Sequence, residues 1–177
     1  VAQYPVITAG TTEITADLLN SMFPQSVDKN ADTARNTTTV VASDPDLVTG
    51  TLTAGGVYYV KFHVRFTGLQ AAGLKTAWLV PAGTTGNRDC DGPGSANAVQ
   101  VDGNTTELKR ATNSYATNVS YTNPRNSTSL QTYLVEQARV TIGATAGAIT
   151  LQWSQATSNA TDTTVKASSF VEWRRVG

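Results

Sequence analysis

One cysteine, Cys90, and one histidine, His63, are all the chain has of either residue in 177 positions. A lone cysteine excludes an internal disulfide, and with it the small disulfide-stapled scaffold. One histidine and one cysteine cannot build the usual zinc site, and no G-x-S-x-G elbow places a serine for a hydrolytic triad. Charge is scarce too. Thirteen basic residues balance thirteen acidic ones at 15% charged content, so no cationic surplus is left to neutralise nucleic-acid phosphates. No apolar run approaches the roughly 20 residues of a membrane-spanning helix, and the first residues do not read as a signal peptide. Heptads, solenoid repeats and phosphate-cradling glycine motifs are also missing.

In place of charge there is threonine, 29 residues of it, with Asn, Ser, Ala and Gly. Threonine favours strands, while Asn, Gly and Ser favour the turns between them. From Thr39 onward the hydrophobic period is two. In VYYVKFHVRF, Tyr58, Val60, Phe62, Val64 and Phe66 share one face, and Tyr59, Lys61, His63 and Arg65 share the other. LKTAWLVP is a second strand, stopped at Pro81. LQTYLVEQARVTI puts Leu134, Ala138, Val140 and Ile142 on one face, with Glu136 breaking the pattern. AITLQW aligns Ile149, Leu151 and Trp153, and VKASSFVEWRRV supplies one or two strands with Val171 and Trp173 together. Shorter candidates are TTTVVAS, LVTGTLT and ANAVQVD, and residues 82–128 read as polar loops with one or two weak strands. Eight to ten strands separated by turns predict an all-β, antiparallel sandwich or barrel.

Residues 1–38 lack this period. Thr15 is placed to cap a short helix over ADLLNSM that ends at Pro24, and the rest reads as an extended arm. The expected organisation is therefore an arm (1–38) with one short helix and a β domain (39–177). Tyr4, Ile7, Leu18, Leu19, Met22 and Phe23 are more apolar than a plain tail requires. Either the helix around Leu18 and Leu19 packs under its own sandwich, or, as the preferred reading has it, these residues attach the arm to a neighbouring subunit or particle.

Chemistry-bearing groups are few. The DCDG around Cys90 and the DPD at 44–46 read as tight turns, without the remaining ligands of an EF-hand. Flanking carboxylates oppose a reactive thiolate at Cys90. The four glutamates, at 13, 107, 136 and 172, form no recognisable glycosidase pair. Five N-x-S/T sequons begin at Asn36, Asn104, Asn118, Asn126 and Asn159, as a composition rich in Asn, Thr and Ser supplies by chance. The expectation is a protein that is not an enzyme, with no catalytic residue, cofactor or metal.

Two resemblances bear on function. Leu151, Gln152, Trp153 and Gln155, followed by Thr163, Thr164, Val165, Ala167, Ser168 and Phe170, resemble the carboxyl end of trimeric jelly-roll heads. Such heads occur in tumour-necrosis-factor-like and complement-like domains and in phage structural proteins. The resemblance implies a jelly-roll β-sandwich whose last strand lies near a threefold axis. AGTTEITADLLNSMFPQSVDKNADT, SDPDLVTGTLTAGGVYYVKFHVRFTG and GLKTAWLVPAGTTGNRDCDGP are similar to virion proteins of tailed phages, especially those of actinobacteria. That similarity implies a virion surface protein: a trimeric head decoration, cement or head-fibre protein. The alternatives are a receptor-binding tip of a tail fibre or baseplate, and a secreted lectin-like or cytokine-like domain. Expected partners are further copies of the chain, meeting through Tyr59, Trp153 and Trp173, and the major capsid protein or another virion protein. A host surface glycan is a further candidate; nucleic acid and membrane are not expected.

Overall fold

The alternation read in VYYVKFHVRF forms a long inward-facing row. In the computed structural model, which describes residues 23–94, 108–122 and 125–177, it is β4 (Val57–Gly68). Val60, Phe62, Val64 and Phe66 are completely buried, and Tyr58 nearly so. Around it lie β1 (Gln25–Asp28), β2 (Thr33–Arg35), β3 (Ala42–Val48), β5 (Leu74–Leu79), β6 (Arg88–Pro93) and β7 (Leu108–Asn113). The order continues with β8 (Val119–Tyr121), β9 (Ser127–Thr141), β10 (Thr150–Ser154), β11 (Thr163–Val165) and β12 (Phe170–Arg175). The predicted helix after Thr15 lies outside the described residues.

The strands form two antiparallel sheets. The large one runs β1-β12-β4-β9-β6-β7, with β11 and β2 attached beside β4; the small one runs β3-β10-β5-β8. Without β2, β6, β7 and β11, eight strands remain, and their pairing is nested. The first pairs with the last (β1 with β12) and the second with the seventh (β3 with β10). The third pairs with the sixth (β4 with β9) and the fourth with the fifth (β5 with β8). That is one long hairpin rolled into two facing sheets: a jelly roll. The reason is burial, because each sheet has one apolar face and covers it with the other's. Phe62 from the large sheet meets Trp78 from the small one edge to face, ring centres 4.9 Å apart. Leu47, Leu151 and Trp153 complete the small sheet's contribution.

β11 and β12 lie end to end along β4, and β2 and β1 lie end to end outside them. Between β11 and β12 the chain leaves the ladder, and a hydroxyl fills in. Ser169 Oγ accepts the Arg65 N–H at 2.9 Å, and Lys166 N–H reaches the Arg65 carbonyl at the same distance.

Residues 25–35, expected in the arm, are instead strands of the sandwich. They carry no alternating apolar run because side chains of other kinds anchor them. Lys29, buried, donates to Asp44 Oδ1 and Thr33 Oγ1 at 2.8 Å and to Asp46 Oδ2 at 3.2 Å. Arg35 donates to the carbonyls of Ala42, Ser43 and Trp153, its guanidinium lying 4.1 Å over the Trp153 ring. Polar anchoring of this sort leaves no periodic signature.

Both expected aspartate turns are also strands. Asp44 lies within β3, buried, its Oδ1 accepting the N–H groups of Asp46 and Leu47 and its Oδ2 the Trp153 indole at 2.9 Å. Asp89, Cys90 and Asp91 lie within β6, where alternation turns the thiol inward and both carboxylates out.

Candidate functional site

Beneath the working surface lies a buried charge cluster that sets the position of β6. Arg88 and Glu136 are fully buried and ion-paired. Glu136 Oε1 also accepts from Tyr121 Oη at 2.7 Å and from Thr76 Oγ1, and Oε2 accepts from Trp78 Nε1 at 2.6 Å. Arg88 donates further to the carbonyls of Thr76 and Thr117. The exception in the apolar face of β9 is therefore the anchor of the β6–β7 hairpin, which is inserted between the fourth and fifth strands of the roll. Burial, then the Glu136 carboxylate, pushes the Tyr121 hydroxyl far up. Burial also drives the Cys90 thiol to about 11, with Glu136 adding to the rise. An inert thiol follows. Gly92 completes the packing, since a Cβ there would stand 2.7 Å from Tyr121 ring carbons and 2.8 Å from Leu134 Cβ.

The outer face of the large sheet carries rings where solvent-facing positions of strands usually carry charge. Tyr133 of β9, His63 of β4 and Phe170 of β12 form a stack across three strands. The centres are 5.5 Å and 5.0 Å apart, with 8° between planes in each pair. His63 is therefore covered on both ring faces. Burial, with Arg65 and Lys61 beside it, lowers its pKa below the ordinary 6.5. Its Nδ1 is buried, with no hydrogen-bond partner among the described residues. Along the same face Tyr59 donates to Gln137 Oε1 at 2.6 Å, and Arg174 lies 5.8 Å over its ring. Lys61 pairs with Glu172 at 3.6 Å, a solvent-screened contact.

At the β9 side this face opens into a cleft of about 970 Å³. β6 pairs with β9 only from Arg88 to Asp91, opposite Ala138 to Val135, while β9 continues beside β4 as far as Ser127. Asp89 and Asp91 of β6 lie beside Gln137 and Val135 of β9 on the paired stretch, and with Tyr133 of β9 and Arg110 of β7 they line the cleft.

The described members of the expected contact set do not gather on one surface. Tyr4, Ile7, Leu18, Leu19 and Met22 lie outside the described residues; Phe23 is 63% exposed. Tyr59 faces out, half-buried. Trp153 is 0% exposed within its own chain and has no surface to give a partner. Trp173 faces the core side of β12, half-buried, with its ring 3.3 Å from where a Cβ on Gly50 would stand. Tyr133, Arg88 and Lys29 had not been singled out from the sequence. The signal for Tyr133 was its parity: an aromatic on the polar side of LQTYLVEQARV.

Among the described residues, no group of three or more His, Cys, Asp or Glu side chains is placed to hold a metal ion. No described helix is long and apolar enough to cross a membrane. No protein-family model matches the chain, and no curated protein does. Among solved structures, a chain from "Structure of infectious bursal disease virus Gt strain" aligns at 10% identity over 98% of this chain and 45% of its own length. The TM-score is 0.22, too low to carry an argument about fold or function.

Proposed function

We propose that the chain is a non-enzymatic surface protein of a tailed-phage virion, acting as a homotrimer that decorates or cements the head. The observation that carries this reading is the outer face of the large sheet: a broad face of a jelly roll bearing Tyr59, His63 and Phe170, which the described residues leave partly uncovered, with Tyr133 at its β9 edge left to the cleft. Aromatic residues on an uncovered face suit an interface centre. The sequence likeness to phage virion proteins supports the same reading, and Tyr59 is the residue of the expected trimer set that faces outward. The cleft beside β9 favours the receptor-binding reading as the second choice.

Sedimentation at micromolar concentration tests the assembly: a species of three chain masses is expected, and Tyr59→Arg should shift it to the monomer. A stable wild-type monomer would overturn the trimer. Attachment is tested with particles stripped of the protein. A chain starting at Phe23 keeps β1, Lys29 and Arg35; a start at Thr39 would remove strands of the sandwich itself. If the Phe23 chain binds stripped particles as well as the full chain does, the arm is not the anchor.

A further inference from the structure

The geometry points to a saccharide-binding site in the cleft between β9 and the β6–β7 hairpin, with Tyr133 as its stacking platform, and this does not rest on the trimer. A sugar ring offers two kinds of surface: a patch of C–H groups on one face, and a rim of hydroxyls that both donate and accept. Recognising it takes an aromatic plane for the first and fixed planar polar groups for the second.

The cleft has both. Tyr133 is 61% exposed and lines the cleft, while one of its ring faces is taken by His63, itself backed by Phe170. The remaining face is left to the cleft. A ring braced in this way loses little freedom when a ligand stacks on it. Beside it, on the neighbouring strand, the carboxylates of Asp89 and Asp91 line the cleft, with the guanidinium of Arg110 3.3 Å from Asp91 Oδ2. Gln137 brings an amide whose oxygen is already held by the Tyr59 hydroxyl.

A further sign comes from Arg125, which lines the same cleft. Its Nε is buried and has no acceptor among the described residues. A ligand hydroxyl would supply one. The volume of about 970 Å³ holds an oligosaccharide of a few rings.

Charge decides the class of sugar. Two carboxylates, Asp89 and Asp91, and two guanidinium groups, Arg110 and Arg125, line the cleft, so its formal charge sums to zero and draws in no anion by net sign. The occupant is a neutral saccharide with an unbroken C–H face. β-Galactosides serve as probes of this class, because opposite their axial C4 hydroxyl the C3, C4 and C5 hydrogens lie together.

The test uses the full chain, with saturation-transfer NMR on lactose and methyl β-D-galactoside and an array of neutral and sialylated oligosaccharides. The expected result is binding of neutral, galactose-containing probes. Tyr133→Ala should weaken it about tenfold or more, whereas Tyr133→Phe, which keeps the ring, should stay within about threefold. Asp91→Asn should cost about tenfold by weakening charge-assisted hydrogen bonds. The proposal is overturned by any of three results: no response to lactose up to about 50 mM with a blank array, unchanged binding by Tyr133→Ala, or binding confined to sialylated probes.

Discussion

The two faces of β4 and β9 share one backbone and differ in how their side chains are held. On the inner face each residue is fixed from several directions at once. Glu136 is held by donors from β5, β6 and β8, and Phe62 by a ring from the opposite sheet. On the outer face His63 touches rings on its two neighbouring strands, and the next polar contacts, such as Lys61 with Glu172, are open to water. The inner face therefore specifies the fold, and the outer face is free to vary with function. If that division is right, substitutions on the two faces should separate stability from binding.

The largest effect is expected at Glu136. Glu136→Ala leaves the Arg88 guanidinium buried without its counter-charge, a loss of about 3–5 kcal/mol in urea unfolding. The double change Arg88→Met with Glu136→Leu should recover much of it. A recovery of nothing would mean that the hydrogen bonds to Tyr121 and Trp78, and not the charge, set the stability. Lys29→Met should come next, at about 3 kcal/mol, because Asp44 keeps the Asp46 and Leu47 N–H groups and the Trp153 indole as donors.

Cys90→Ser is expected to cost about 1–3 kcal/mol, since it puts a hydroxyl where a thiol sits 2% exposed in the core. The native thiol should resist alkylation at pH 8, as a group with its pKa at about 11 must. Ready labelling under native conditions would show that β6 opens. The turn expected around Cys90 would have made the serine change neutral, so this variant sharpens the contrast between the faces.

A pH effect comes from the outer face. The folded-state pKa of His63 lies below its ordinary 6.5, so the unfolded chain binds the proton more readily. Its contribution to stability is complete above about pH 6.5 and is lost as the pH falls through the depressed value. The shifted carboxylates act lower. Lys166 and the Ala167 N–H hold Asp32 below 3.8; for Asp46 burial acts upward, but hydrogen bonds from Lys29 and Asn30 outweigh it. Between pH 7 and 5 the melting temperature should therefore fall less in His63→Phe than in the wild type. Equal falls would show that the ring stack does not disfavour the imidazolium.

The smallest stability change is expected for Tyr133→Ala, within about 0.5–1 kcal/mol. A loss as large as that of Glu136→Ala would break the division, because it would make the outer rings part of what holds the fold.

Alternation was legible without coordinates. Tyr58 to Phe66, Leu134 to Ile142, and Ile149, Leu151 and Trp153 all face inward as their spacing predicted, because parity along a strand depends only on the local backbone. The all-β class follows from the number of such runs. Neither the membership of residues 25–35 in the large sheet nor the meaning of Glu136 was readable in this way. Lys29 finds Asp44, and Arg88 finds Glu136, across separations of 15 and 48 residues, through polar contacts with no period. The stack of Tyr133 on His63 on Phe170 is likewise a consequence of strand order. Sequence alone determined which side of each strand faces the core. Only the rolling of the hairpin decided which strands become neighbours, and so which outward side chains meet.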